Sequence, residues 1–271
     1  MLMATLPAFS QDKSALLMVH FGTSYDDTRA KTIDAITAAA RTAFPDMEVR
    51  EAWTSRMIIK KLKGRGVEKL LPEDALLKLR AEGFKSIIVQ PTTLLDGAEM
   101  ALLRSDIERV RPFFKEIRIG NPLLYSVEDC RKVADILMTR HAACVNAKKH
   151  AHLAFVGHGT YTPATASYSQ MEHLMQRSGG VLFHVATIEG YPTLETLIAD
   201  LKAAKARKVT LVPMLFVAGD HATNDISGEW KEALEAEGLE VEVVLEGLGE
   251  IPEIQALYLD HARALLQPVS E

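Results

Sequence analysis

Eight short strand-like stretches alternate with stretches of helical period along nearly the whole chain, and this alternation constrains the fold more than any other feature. The strands are expected at 15–21, 48–53, 86–89, 116–120, 153–156, 182–187, 209–217 and 241–245. Between them lie predicted helices at 26–43, 57–63, 72–82, 100–111, about 127–145, 166–176, 193–204 and 229–237, and a last one at 254–266. Strands joined through helices of this length cannot pair as hairpins. They make parallel sheets with both faces covered, an α/β architecture.

The pattern runs twice. Leu16-Leu-Met-Val-His-Phe-Gly22-Thr23 echoes Leu153-Ala-Phe-Val-Gly-His-Gly159-Thr160, and the segment from Ile88 to Gly97 echoes that from Leu211 to Gly219. Two similar Rossmann-like (flavodoxin-like) halves are therefore expected, 1–127 and 128–271, facing each other across a cleft of the kind that binds ligands. Superposing the repeats sets Phe21 opposite His158 and Glu99 opposite His221, so the metal-type side chains belong to the second half alone.

Within that half, His158, Glu189 and His221 stand 31 and 32 residues apart, each at a predicted strand end. About thirty residues is one strand–helix–strand repeat, which brings all three to the carboxyl edge of one sheet. Two imidazoles and a carboxylate with open positions opposite make a site for a divalent transition metal. His158 lies between Gly157 and Gly159, which suggests close approach of something to the backbone. Asp220 and Asp225 flank His221 and are read either as acceptors that orient it or as helix caps. The other histidines are assigned to structure, with His141, His150, His152 and His261 on the surface.

Other features bound the chemistry. The Gly22-Thr23-Ser24 turn could offer backbone N–H groups to an anion or let a flat ligand come close, and Met214 and Leu215, with Phe216, could pack on such a ligand. Arg56, Lys60, Lys61, Lys63 and Arg65 form the one basic stretch, either a solvated helix face or a docking point for a polycarboxylate. With a net charge of −5 and no large basic block, nucleic acid is not an expected partner. No apolar run reaches the ~20 residues of a membrane span. No glycine-rich dinucleotide motif or Walker A sequence occurs, so no nucleotide is expected. Cys130 and Cys144 fall in one predicted helix, ~21 Å apart at the helical rise, too far for a disulfide. A reducing, cytoplasmic setting fits. Ala8 and Ser10, however, resemble the cleavage end of an export signal, which leaves a periplasmic location open. A homo-oligomer is likewise left open.

Six motifs carry a family resemblance: Phe21-Gly-Thr-Ser-Tyr-Asp-Asp-Thr28, Trp53-Thr-Ser-Arg-Met-Ile-Ile-Lys-Lys-Leu62, Gly157-His-Gly159, Ile188-Glu-Gly-Tyr-Pro192, the run from Pro213 to Asp225, and Gly247-Leu-Gly-Glu-Ile-Pro252. Together and in this order, they resemble the class II tetrapyrrole chelatases of the anaerobic sirohydrochlorin cobaltochelatase type. The resemblance implies Co²⁺ as substrate metal, bound by His158, Glu189 and His221, and sirohydrochlorin as its acceptor in cobalamin biosynthesis. Fe²⁺ and Ni²⁺ stay open as the metal, because similar N/O sites bind several divalent ions. A non-catalytic metal or tetrapyrrole carrier, and more remotely a two-lobed sugar- or anion-binding protein, stay open as functions. The family often has a histidine where Thr93 stands here. Relatives that carry haem use a histidine just after that segment, at the place of Met100 and Ala101, so no haem is expected.

Overall fold

The computed structural model describes residues 13–146 and 150–267. The export-signal reading of residues 1–10 lies outside them. The chain divides into two compact units, one holding the residues up to Leu123 together with those from Gln255 onward, the other Leu124–Ile254.

The first unit is a four-stranded parallel sheet of β1 (Ser14–His20), β2 (Glu48–Trp53), β3 (Ser86–Pro91) and β4 (Glu116–Ile119), in the order β2-β1-β3-β4. Its crossovers are α1 (26–43, widened to a π-helical turn at Ala30–Asp34), α2 (Arg56–Lys63) with α3 (Pro72–Ala81), and α4 (Ala98–Val110). β1 is buried at every residue, as expected of a central strand covered on both faces. Ala15, Leu17, Val89, Leu76, Leu103 and Ile107 belong to one core cluster beneath it. Helix starts follow local chemistry: Ser55 Oγ accepts from the Ile58 N–H at 3.4 Å, and Pro72 occupies a first-turn position where its missing N–H costs nothing.

The second unit repeats the arrangement. β5 (Ala151–Gly159), β6 (Phe183–Glu189), β7 (Lys208–Met214) and β8 (Glu240–Val243) pair in parallel in the order β6-β5-β7-β8. α5 (Val127–Arg140) opens with a capping box in which Ser126 and Asp129 satisfy each other's backbone N–H groups. α6 (Ala142–Asn146), α7 (Ala166–Gly179), α8 (Leu194–Ala203) and α9 (221–236) complete it. In both sheets the order reverses between the first and third strands, and such a switch point is where open α/β sheets bind ligands.

Several expectations need correction. The helix predicted over 127–145 is interrupted at His141 (φ −104°, ψ 13°), so Cys130 and Cys144 sit on separate helices. Both are free thiols, and burial pushes Cys130 up to about 11. His141 and His152 are buried rather than on the surface. β7 ends at Met214, short of Val217, and the following helix begins at His221, eight residues earlier than its apolar period suggests. Gly228 and the polar run 223–225 disguise its start, yet Ala222, Ile226, Trp230 and Leu234 are all buried, four residues apart. That spacing drifts off an α-helical stripe of 3.6 residues per turn, and the π-helical stretch His221–Trp230 widens the turn to keep it on one face.

The last helix, α10 (Pro252–Ala264), runs largely with the first unit although the repeat assigns it to the second. Tyr258 explains this: fully buried, its hydroxyl reaches the carbonyls of Thr92 (3.0 Å) and Thr93 (3.2 Å). Arg118 Nη1 donates to the carbonyls of Leu265 (2.7 Å) and Gln267 (2.9 Å) just beyond its end.

Candidate metal centre

His158 is the next-to-last residue of β5, which lies at the switch point of the second sheet. Its Nδ1 is 3.2 Å from the carbonyl oxygen of Gly159. A carbonyl only accepts, so Nδ1 carries the proton and Nε2 keeps its lone pair. The glycines on either side have packing reasons of their own. A side chain at Gly157 would strike the Tyr168 ring at 2.2 Å, and one at Gly159 (φ +91°) would meet the Glu189 carbonyl oxygen at 1.4 Å. The close approach that the sequence suggested is therefore made by Tyr168 and the neighbouring strand. Tyr168 also accepts the Gly159 N–H at 3.2 Å, which fixes the strand end under His158.

His221 is the first residue of α9, entered from β7 across the switch point. Its Nδ1 lies 2.6 Å from Asp225 Oδ2, one turn along the helix. The carboxylate fixes the same tautomer as in His158 and leaves Nε2 open. Asp225 thus orients the imidazole, whereas Asp220 stands at the residue before the helix with no side-chain cap bond. The loop leading to His221 is held from behind: Leu248 and Gly249 donate backbone N–H groups to Leu215 (2.8 Å) and Phe216 (2.9 Å). A side chain at Gly247 would meet the Phe216 carbonyl at 2.8 Å.

The two imidazoles meet edge to face, with ring centroids 4.7 Å apart and planes at 84°. Glu189 ends β6, with its Cα in register with Gly159 on β5. Its side chain is exposed. The turn after it is pinned by Thr187, whose N–H and hydroxyl both donate to the Pro192 carbonyl (2.7 and 2.9 Å), and by the Thr165 hydroxyl on Tyr191 O (2.9 Å). The donor atoms of His158, Glu189 and His221 do not all close to within 4.8 Å; among the described residues the one group that does is Glu172, His184 and Asp200. The histidine pair is preassembled, and the Glu189 carboxylate is a free arm on the adjoining strand end.

The proposed ring contacts fare differently. Met214 is fully buried within β7, which removes it from any ligand surface, while Leu215 is half-buried on the core. Thr23 and Ser24 are buried as well. Gly22 (φ +107°) leaves room for the Trp53 ring, which a side chain there would strike at 2.4 Å. Thr23 Oγ1 accepts from the Tyr25 N–H at 3.2 Å, and the Ser24 carbonyl accepts from Arg65 at 2.8 Å. Tyr168 and Thr187 support these strand ends through tertiary contacts with no local signature, and residues 247–249, visible in the sequence only as a motif, act as a clamp through contacts of the same kind.

The chain matches the family described as cobalt chelatase (CbiK) over residues 14–267. A sirohydrochlorin cobaltochelatase of Salmonella typhimurium is 35% identical over 266 residues, covering 96% of this chain and 98% of that protein. The sirohydrochlorin cobaltochelatase CbiKC of Nitratidesulfovibrio vulgaris is 31% identical over 265 residues, covering 96% and 93%. Among solved structures, SirB from Bacillus subtilis with Fe³⁺ superposes with a TM-score of 0.70 at 15% identity, covering 93% of this chain and 95% of that one. CbiX, described as the terminal enzyme of siroheme biosynthesis in denitrifying bacteria, gives 0.59 at 18% identity, covering 92% and 98%. These two likenesses bear on the fold. The family match and the identity over nearly the full chain bear on descent, and by them this protein belongs to the CbiK cobalt chelatase family.

Proposed function

We propose that this protein inserts Co²⁺ into sirohydrochlorin without nucleotide hydrolysis, the metal-insertion step of the anaerobic route to cobalamin. The observation that carries the reading is the histidine pair: two imidazoles 4.7 Å apart, each with Nδ1 held by an acceptor and Nε2 left as a lone-pair donor.

Insertion exchanges two pyrrole N–H protons for the two charges of the incoming ion. It therefore needs donors that hold the ion without trapping it, and a base able to work near neutral pH. In this reading His158 and His221 present Nε2 to the cobalt substrate, and Glu189 swings in as the third, anionic ligand. Three ligands with open positions allow the macrocycle nitrogens to take over, as a closed tetrahedral cage would not. As ring nitrogens replace the protein ligands, the freed His158 Nε2 accepts the two pyrrole protons one after the other and passes each to solvent. Asp225 keeps the His221 ring oriented throughout.

Iron and nickel remain the alternative metals, since imidazole and carboxylate donors accept all three ions. A spectroscopic insertion assay with sirohydrochlorin and Co²⁺, Fe²⁺ and Ni²⁺ in parallel tests the proposal. Free cobalt-sirohydrochlorin should accumulate over many turnovers and should fail to form with His221→Ala. A stoichiometric bound spectrum without released product would instead identify a carrier.

A further inference from the structure

We infer a second divalent-metal site in the same unit, built from Glu172, His184 and Asp200 and independent of the reading given to His158, Glu189 and His221. One donor atom from each of the three lies within 4.8 Å of the others. They come from three elements: Glu172 from α7, His184 from β6 and Asp200 from α8. β6 is the edge strand of its sheet, so among the described residues its outer side has no strand partner. Glu172 covers that side, with Oε1 accepting the Val185 N–H at 3.4 Å.

The centre of the argument is His184. It is 3% exposed, and its buried Nδ1 has no hydrogen-bond partner among the described residues. The Glu172 carboxylate faces that nitrogen at 3.6 Å, beyond a proper hydrogen bond. On the other side of the ring, Nε2 lies 3.0 Å from His152 Nδ1, with the two rings stacked at 5.2 Å. When Nε2 donates to His152, Nδ1 turns a lone pair toward a carboxylate that is itself only an acceptor. In that tautomer two lone-pair donors face each other with a second carboxylate alongside, and a cation between them satisfies both. A buried polar atom left unsatisfied is destabilising, and a cation removes that penalty.

One imidazole and two carboxylates suit a borderline divalent ion such as Zn²⁺ or Co²⁺ better than Mg²⁺ or Ca²⁺, which take oxygen alone. Glu172 already lies at the ring, and exposed Asp200 can swing the remaining distance. The site is separate from the histidine pair. His184 precedes Glu189 by five residues on one strand, about 16 Å at the rise of a strand. A bound ion would clamp α7 and α8 to β6. It would stabilise the unit carrying Tyr168 and the Glu189 strand end, by mass action on the folded state.

The experiment uses the full chain with His158→Ala and His221→Ala, so that the first site is disabled. Co²⁺ is titrated by calorimetry and by its d–d absorbance, and thermal unfolding is followed with and without Zn²⁺. One equivalent of Co²⁺ should still bind, and Zn²⁺ should raise the unfolding temperature. Adding Asp200→Asn, an exposed change that leaves the fold intact, should weaken binding by about tenfold or more and abolish the thermal shift. Asp200→Asn in the otherwise unaltered protein should leave cobalt insertion at its normal rate. No stoichiometric binding in the double variant would overturn the inference. So would binding that ignores both Asp200→Asn and Glu172→Gln, because the retained ion would then sit elsewhere. Loss of insertion by His221→Ala concerns the first site alone, so the two readings fail separately.

Discussion

Asp225 Oδ2 lies 2.6 Å from His221 Nδ1, and this contact decides which nitrogen of His221 can face a cation. A carboxylate has no proton to give at neutral pH, so the Nδ1–H form is selected and the ring is held against rotation. The equivalent work for His158 is done by the Gly159 carbonyl, which no side-chain substitution can remove. Asp225 is therefore the place where the orientation of a candidate ligand can be tested without touching the ligand. Asp225→Ala should weaken Co²⁺ binding and insertion by about 10- to 100-fold. Asp225→Asn should do less, since its amide oxygen still accepts from Nδ1–H. Calorimetric affinities for both variants check this, and equal, unweakened affinities would remove Asp225 from the site.

Gly159 separates backbone geometry from space. It has φ +91° and stands where an added methyl carbon would lie 1.4 Å from the Glu189 carbonyl oxygen. Gly238 shares the left-handed region, at φ +84°, but has nothing within 4 Å of that position. Gly238→Ala should cost about 1–2 kcal/mol for the backbone alone. Gly159→Ala adds the overpacking term of about 1–3 kcal/mol and pushes apart the two strand ends that carry His158 and Glu189. Urea midpoints for the pair should differ in that order, and cobalt insertion should fall only for Gly159→Ala.

Parts of this arrangement were legible in the residues and parts were not. Eight strands alternating with helices fix a doubled parallel α/β plan, because no other layer scheme buries both faces of such strands. The strand-end positions of His158 and Glu189 follow from the same period. The partnership of His221 with Asp225 was open, since an acid four residues on could equally serve a helix end. It became definite only because packing of Ala222, Ile226 and Trp230 draws the helix start back to His221. Gly157 and Gly22 read as openings for a ligand, whereas their neighbours turn out to be the Tyr168 and Trp53 rings, contacts between residues too distant in sequence for any local pattern to reveal. His152 and His184 looked unremarkable for the same reason, their pairing being a product of strand register.

His20 makes acid sensitivity a property of the first unit. Its pKa is lowered from 6.5 to about 3, first by complete burial and then by nearby Lys69, against a smaller opposite pull from Asp34. The folded chain keeps the ring neutral between Thr92 Oγ1 at 3.0 Å and Thr37 Oγ1 at 3.5 Å. Below the unfolded pKa of 6.5 the unfolded chain takes up a proton that the folded chain refuses, so stability falls as the pH drops. The loss accumulates at up to ~1.4 kcal/mol per pH unit between those two values and stops below the folded one. Replacing His20 with Asn should lower stability near pH 7 and flatten this slope by one proton. Unfolding free energies measured at several pH values across the window give the slope directly, and an unchanged slope would refute the assignment.

Tyr258 tests why the chain returns to its first unit at the end. Its buried hydroxyl donates toward the carbonyls of Thr92 and Thr93, just past the end of β3, while Arg118 holds the carbonyls of Leu265 and Gln267 beyond the far end of α10. Tyr258→Phe keeps the ring in place and deletes the anchor, so its effect is the hydrogen bond alone. A loss of about 1–2 kcal/mol is expected, with the Thr92 carbonyl left poorer by one donor. Arg118→Met removes the second anchor and leaves most of the aliphatic packing. Tyr258 lies midway along the helix and the Arg118 contacts lie just past its C-terminal end; they share no partner, so their costs should add to within about 0.5 kcal/mol. Amide exchange should accelerate across 252–264 in the double variant while β5 and β7 stay protected. Uniform acceleration that extends through β5 and β7 would refute the local anchoring of α10 by Tyr258 and Arg118.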